Sequence, residues 1–314
     1  MAGLPLIAPP GARASYSQAG FNLAGRIVAK VTGLTYEKAV ASLVFDPAGL
    51  SGSFFDRDDI MTRRFAVGHN RGEDRKVSIG RLWRRSRGDN PGGGIASSAA
   101  DMLRWARFHL GSGVPDVLPA GVLRRMREPT TALRGSSLGD AIGWFLRDVD
   151  GVRAAGHGGS ANGQFADLLL VPERGFAVVV LCNEGPDGIP FNQTVIRWAL
   201  QNYLGITDRD PEPLPFDEAR AREVAGRYEN EVMTFTVGID GAALRMEVRI
   251  KPEIRAAADK EPPPDPAPFE VGLLPRDEYI VTGGEYAGQR GFFTRDASGT
   301  ITGVDLAGRL ATRV

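Results

Sequence analysis

Two apolar runs, 165–171 and 176–182, are separated by Pro172-Glu173-Arg174-Gly175. Each run has the length of a strand, and the linker is turn chemistry, so this stretch predicts a β-hairpin. Immediately before it stands Gly156-His157-Gly158-Gly159-Ser160. A histidine flanked by glycines at a strand edge is a poor way to build a core. It is a good way to bring a substrate carbonyl up to backbone N–H groups, because glycine has no Cβ in the way. No obvious nucleophile accompanies it, and that shapes the rest of the reading.

Upstream, Leu23, Ile27 and Val31 recur every fourth residue with Ala24 and Val28 alongside, which predicts an amphipathic helix over 19–32 stopped by Gly33. Thr35 caps a second helix running to Val44, and Asp46-Pro47 ends it. Residues 56–94 are polar and arginine-rich and predict a solvated irregular loop. The arginines at 63, 64, 71, 75, 81, 84, 85 and 87 also allow an anion-binding patch, the less favoured reading. Ser98-Ala99-Ala100-Asp101 has the form of a capping box opening a helix that runs to Leu110 and stops at Gly111. Strands are expected over 141–147, 164–171 and 176–181, and a helix over 191–204 closes the unit. The prolines of 208–215 mark a linker. Beyond it, alternating segments at 234–239, 243–250, 269–274, 279–282, 291–294 and 300–304 predict a small all-β sheet or barrel, with a proline-rich loop over 260–268.

Lys+Arg and Asp+Glu are balanced at 38 each, so there is no net field to attract nucleic acid or an anionic membrane surface. The longest apolar runs are strand-length, which leaves no membrane span. Cys182 is the single cysteine, which rules out a disulfide framework or thiolate cluster. Following Val178-Val179-Val180-Leu181, it is expected to pack as a small buried hydrophobe. His69, His109 and His157 are too dispersed for a metal site, and neither metal nor cofactor is expected.

A Gly-x-Ser-x-Gly match occurs at Gly135-Ser136-Ser137-Leu138-Gly139. A nucleophile elbow needs a hydrophobic strand before the serine and a helix after it. Thr130-Thr131-Ala132-Leu133-Arg134 is a weak strand, and His157 follows too closely for the usual connections. An α/β-hydrolase acting through Ser137 is therefore set aside. Tyr16-Ser17-Gln18, taken alone, is a surface tyrosine beside a serine N-cap. Paired with the distal His-Gly-Gly-Ser it begins an ordered series.

That series comprises Tyr16-Ser17-Gln18-Ala19-Gly20-Phe21-Asn22-Leu23-Ala24-Gly25-Arg26-Ile27, then Phe45-Asp46-Pro47-Ala48-Gly49-Leu50. Gly92-Gly93-Gly94-Ile95-Ala96-Ser97-Ser98-Ala99-Ala100-Asp101-Met102 and Gly156-His157-Gly158-Gly159-Ser160-Ala161-Asn162-Gly163 follow. It resembles the serine β-lactamase family, specifically its class C-like branch with D-alanyl-D-alanine carboxypeptidases and related esterases. The resemblance covers about residues 4–205. Residues 222–314 resemble the β-rich C-terminal extension of some members, best at Val224-Ala225-Gly226-Arg227-Tyr228.

The resemblance implies an α+β fold, an antiparallel sheet flanked by helices, with a small all-β C-terminal domain. The expected organisation is a partial hydrolase domain over 1–206, a linker over 207–217 and a β-rich domain over 218–314. By motif position, Tyr16 would be the proton-transferring tyrosine; a phenol has an ordinary pKa near 10 and needs neighbouring positive charge to act as a base. His157 takes the place of a strand lysine and is a less reliable donor to a substrate carboxylate. The Ser160 N–H, with Gly158 and Gly159, would form half of the oxyanion hole. Gln18 replaces the usual asparagine, so its contact with a substrate amide must be re-aimed.

The family's nucleophile lies in Ser-x-x-Lys, whose spacing puts both side chains on one helix face. None of the lysines here (30, 38, 76, 251 and 260) has a serine three residues before it. The expectation is a chain lacking its nucleophile-bearing segment and hence inactive by itself, through a fragment, a misplaced start or a degenerate remnant. Such a chain would expose an apolar sheet face. The intact chemistry would be acyl transfer to serine and hydrolysis of an ester, amide or lactam, with a small-molecule or peptide acyl substrate. The alternative is a non-catalytic scaffold that binds a peptide or cell-wall fragment. Residues 1–12 carry no signal peptide, so a cytoplasmic location is the default, with export if a preceding segment carries a signal. Reaction class does not choose among acyl donors, and oligomeric state stays open.

Overall fold

The computed structural model describes residues 6, 9–11, 14–72, 76–81, 86–112, 117–129, 141–185, 187–257, 265–284 and 286–314. The chain forms two compact units, one mainly Ser17–Thr130 and Ala141–Asp208, the other mainly Arg209–Val314 with Ala8–Tyr16. In chain order the first contains α1 (Gln18–Thr32), α2 (Tyr36–Val40), α3 (Arg57–Met61), β1 (His69–Arg71), β2 (Val77–Ile79), α4 (Ala99–Arg107) and α5 (Ala120–Met126). Then come β3 (Phe145–Val149), β4 (Val152–Ala161), β5 (Gln164–Val171), β6 (Phe176–Cys182), β7 (Glu184–Gly185) and α6 (Gly188–Ala199).

Strands β3 to β6 form an antiparallel meander in sequence order. Its turns explain its register. Asp150-Gly151 and Asn162-Gly163 all have positive φ, the requirement of a two-residue type I′ turn, and they join Val149↔Val152 and Ala161↔Gln164. The first strand therefore begins at Phe145 rather than at 141, and the glycine-rich histidine segment lies on a strand of its own. Side chains of β5 alternate between two cores. Leu168 and Leu170 pack with Ala106, Trp144 and Leu146, while Leu169 and Val171 pack with Val180, Ile196 and Leu200. This is the α+β sheet flanked by helices that the resemblance implied.

The predicted first helix forms, with Ser17 Oγ accepting from the Gly20 N–H at 3.0 Å and Gly33 in the left-handed region at its end. Its apolar stripe, however, faces outward: Leu23, Ile27 and Val31 are 47%, 54% and 80% exposed. The helix is held instead by a face of small and polar residues. Gly25 is its buried position and sits so close to Pro91 that a methyl group there would overlap the proline ring. Residues 56–94 are less irregular than expected, containing α3, β1, β2 and a 3₁₀ turn over Arg87–Gly92. Arg71 pairs with Glu184 and Asp187, and Arg87 with Glu37, so these arginines are engaged rather than gathered into an anion site. Arg75, Arg84 and Arg85 lie outside the described residues, as does Ser137 with its Gly-x-Ser-x-Gly match. Cys182 is half-buried rather than buried, its Sγ 3.9 Å from the Glu184 carbonyl.

The second unit contains α7 (Glu218–Val224), β8 (Gly226–Glu229), β9 (Met233–Asp240), β10 (Ala243–Ile250), α8 (Pro252–Ala257) and β11 (Phe269–Leu273). It continues with β12 (Glu278–Val281), β13 (Arg290–Arg295), β14 (Ile301–Leu306) and β15 (Arg309–Arg313). These eight strands close into an antiparallel barrel. Pairing of β15 with β8 closes it, and neither strand was marked as one by its sequence alternation. The interior is filled by Tyr228, Phe235, Met246, Tyr279 and Val304, joined by Ala221 and Val224 of α7. Both buried phenols are satisfied: Tyr228 Oη donates to the Val224 carbonyl at 2.5 Å and Tyr279 Oη to the Asp305 carbonyl at 2.7 Å. Among the described residues these interior side chains form the packed core of the barrel. Of residues 260–268, those up to 264 lie outside the described residues. No helix among the described residues is long and apolar enough to cross a membrane.

Because Gly25 has no room for a Cβ, Gly25→Ala must push α1 away from Pro91. Urea denaturation should show a loss of about 1–3 kcal/mol, the usual cost of overpacking.

Candidate functional site

Three stretches far apart in sequence line one open pocket of about 210 Å³ in the first unit. Its lining residues are Gln18 at the start of α1, Ser86, Asp89, the Gly92-Gly93-Gly94 run, and Ser160 on β4. The wall that joins the first two stretches is built residue by residue. The Gln18 carboxamide rests against Gly92, where any side chain would displace it. Asn22 Nδ2 donates to Asp89 Oδ1 at 3.1 Å. Arg87 makes a two-pronged contact with Glu37 (2.9 and 2.7 Å), which also accepts from Asn90 Nδ2 at 2.7 Å. Those donors, Arg87 first, hold the Glu37 carboxyl down at about 2 against the opposing effect of burial.

Downstream of the glycine run, Asp101 forms a buried polar hub. Ser98 caps α4 as the sequence predicts, accepting from the Asp101 N–H at 3.2 Å. The Asp101 carboxylate turns elsewhere: fully buried, it accepts from the Gly52 N–H (2.7 Å), Ser53 Oγ (2.9 Å) and Arg104 (2.6 Å). Ser53 Oγ shares a further bond with Ser97 Oγ at 2.8 Å. A buried carboxylate is tolerable when its lone pairs are met in this way. The hub ties α4 to the turn at 50–53, next to the strand-like bridge of Phe54 with Ala96. Sequence pattern identified the cap and missed the hub, because spacing along one helix says nothing of Gly52 and Ser53.

On β4 the register runs Gly156↔Leu169, His157↔Leu168, Gly158↔Asp167 and Ser160↔Phe165. Pairing with β3 ends at Phe145↔Gly156, so among the described residues the segment from His157 to Ala161 has a partner strand on one side only. The two middle glycines differ in purpose. A Cβ on Gly158 would come within 2.7 Å of Asp167 Oδ1, whereas one on Gly159 would meet nothing within 4 Å. Gly158 thus makes room for a buried carboxyl, and Gly159 faces open space. Burial raises the Asp167 pKa, and Asn192 Nδ2, donating at 3.1 Å, offsets part of that effect.

His157 is half-buried, its ring stacked on Phe145 at 4.8 Å, and it is not among the residues lining the pocket. Its Nδ1 lies 2.7 Å from the Gly158 carbonyl. A carbonyl only accepts, so Nδ1 carries the proton and Nε2 is the basic nitrogen. Burial lowers the pKa below the ordinary histidine value, with the Gly158 bond opposing. Tyr16 groups with the second unit: its N–H donates to the Gly308 carbonyl at 2.7 Å and the Arg309 guanidinium lies 4.9 Å over its ring. Of the residues singled out by sequence, Gln18 and Ser160 are therefore brought together, and Tyr16 and His157 are not pocket residues. Among the described residues no cluster of His, Cys, Asp or Glu could hold a metal ion.

A β-lactamase family model matches residues 1–200, which includes every stretch lining this pocket. The chain belongs to the β-lactamase family. Penicillin-binding protein 4 of Amycolatopsis lactamdurans is 33% identical over 239 residues, which is 71% of this chain and 61% of that protein. A β-lactamase of Yersinia enterocolitica is 30% identical over 211 residues, 56% of this chain and 52% of its own length. The chain thus spans about half to three-fifths of these relatives. The crystal structure of SurE shares the fold over 100% of this chain and 71% of its own, with a TM-score of 0.70 at 22% identity.

Asp101→Ala leaves the Gly52 N–H and Ser53 hydroxyl without their acceptor, and should cost about 3 kcal/mol in chemical denaturation. Two histidines should titrate low in NMR spectra of the folded chain. His157 should titrate below the ordinary value of 6.5, and His109, buried among Trp105, Phe108 and Trp144, at about 4. Both folded pKa values are depressed, so between pH 6.5 and about 4 the unfolded chain binds more protons. Their contribution to stability is complete above 6.5 and lost as pH falls, which denaturation midpoints at pH 7 and pH 5 would show.

Proposed function

We infer that this chain forms the distal wall of a serine acyl-transfer site that hydrolyses a small-molecule or peptide ester, amide or lactam. The observation that carries this reading is the single pocket lined by Gln18, the Gly92-Gly93-Gly94 run and Ser160, which come from three of the family-like motifs. In the proposed chemistry a serine oxygen attacks the acyl carbon, the leaving group departs with a proton, and water then cleaves the acyl-enzyme. The Ser160 N–H and the Gly158-Gly159 backbone would stabilise the oxyanion, Gln18 would contact the substrate amide, and Tyr16 and His157 would move protons. His157, with Nε2 as its basic nitrogen, suits proton acceptance better than it suits binding a carboxylate.

The nucleophile is proposed to lie outside this sequence. Two features support that: no lysine here has a serine three residues before it, and the Leu23, Ile27 and Val31 stripe of α1 is uncovered. The proposed organisation remains a hydrolase domain over 1–206, a linker over 207–217 and the β-rich domain over 218–314.

Labelling with a fluorescent penicillin and a fluorophosphonate tests this. The 314-residue chain should remain unlabelled. The product of the reading frame extended upstream should be labelled at the serine of a Ser-x-x-Lys, and His157→Ala should slow that labelling by about 10²-fold or more. Labelling of the 314-residue chain at one serine would overturn the reading. An upstream stop codon with no Ser-x-x-Lys would move it to the binding-scaffold alternative.

A further inference from the structure

Among the described residues, Asp89 is the only ionisable side chain lining the pocket. Among the described residues its carboxylate has one hydrogen-bond partner, Asn22 Nδ2 on Oδ1, so one oxygen is fixed in direction and the other is not engaged. The nearest basic residue in sequence, Arg87, is committed to Glu37 by two hydrogen bonds and does not neutralise it. The 3₁₀ turn that carries Asp89 is itself pinned: Ser86 caps it, Pro91 abuts Gly25, and Asn90 is buried on Glu37. An anion held on a rigid wall selects by charge rather than adapting to its ligand.

A second observation, independent of the first, concerns β4. The β4 residue that lines the pocket is Ser160; His157 does not, its Nδ1–H donated to the Gly158 carbonyl and its ring stacked on Phe145. Among the described residues the pocket lining therefore offers no fixed cation to a substrate carboxylate. The pocket, at about 210 Å³, is below the 300–1,000 Å³ typical of sites for drug-sized ligands and suits a group of amino-acid size.

We propose that Asp89 is a specificity-determining residue, and that the pocket takes acyl compounds bearing a primary ammonium group, such as amino-acid amides or peptides with a free amine, in preference to carboxylate-bearing ones. This rests on the acyl-site reading above and names its substrate class. The ammonium group would sit against the Asp89 oxygen that Asn22 leaves open, with Gln18 and Ser160 on the same pocket wall. An exposed charge contact is modest, so the expected discrimination is about three- to fivefold.

The test is equilibrium binding, which needs no nucleophile. Alaninamide, its N-acetyl derivative and benzylpenicillin are titrated into the whole chain at pH 7 and low salt, followed by NMR shifts. At that pH an α-amino group, with a pKa near 8, is protonated. Alaninamide should bind three- to fivefold more tightly than N-acetylalaninamide, and added salt should shrink the difference. Asp89→Asn should abolish the preference and Asp89→Glu should retain part of it, with thermal melts confirming that both variants fold. Equal or tighter binding of the N-acetyl form, or a preference unchanged in Asp89→Asn, overturns the proposal. Benzylpenicillin binding more tightly than alaninamide also overturns it while leaving the acyl-site reading intact. Binding of none of the three ligands defeats both.

Discussion

The pocket depends on one contact, the closure of α1 onto the 3₁₀ turn at Gly25 and Pro91. A helix normally approaches its neighbour at 8–10 Å between axes, spaced by side chains. Here the spacer is removed. The missing Cβ at Gly25 lets a proline ring seat on the helix backbone, and Gly92 does the same for the Gln18 carboxamide. Once those two surfaces meet, Asn22 reaches Asp89 and Glu37 reaches Arg87 and Asn90. Polar pairs that would contribute little on an open surface gain direction because the backbone beneath them is already fixed. Motifs separated by some seventy residues become one wall for a steric reason, and the electrostatics follow.

Behind that wall the Asp101 hub performs a complementary task. It gives the turn at 50–53 a charged acceptor, for the Gly52 N–H and the Ser53 hydroxyl, and Ser53 in turn bonds Ser97. Loops at binding sites need such supports, since a ligand contact made by backbone is only as well placed as the loop carrying it. The glycine run thus lies between a glycine–proline contact that seats its turn on α1 and a helix whose first turn is anchored by a buried carboxylate.

How much of this was legible in the sequence varies with the physics involved. The hairpin of β5 and β6, the α1 boundaries at Ser17 and Gly33, and the Ser98 cap were all readable, because each is decided within a few residues. The local signal for strand β4 is Asn162-Gly163, the turn that joins it to β5; its glycine-rich composition otherwise lacks the apolar alternation of a strand. The outward-facing stripe of α1 was not readable at all: periodicity reports that a helix has two faces, not which one a given piece of chain covers. Strands β8 and β15 escaped for a related reason, since closing a barrel is a long-range requirement with little local signature. In the site, Gln18 and Ser160 were found through motif order, while Asp89, Asn22 and Asp101 act through partners no spacing rule connects. Gly158 drew notice as an oxyanion glycine, and the room its missing Cβ makes is filled by the Asp167 carboxyl.

The closed barrel of the second unit has a consequence for how the molecule behaves among copies of itself. A closed cylinder of strands has no first or last member, so each strand has a partner on both sides. The sheet of the first unit is open, and its outer strand β6 carries Leu181 toward solvent. Self-association through strand pairing is therefore confined to one unit of the chain. The two halves of this protein differ in colloidal character: one is closed by its topology, and the other keeps open strand rims.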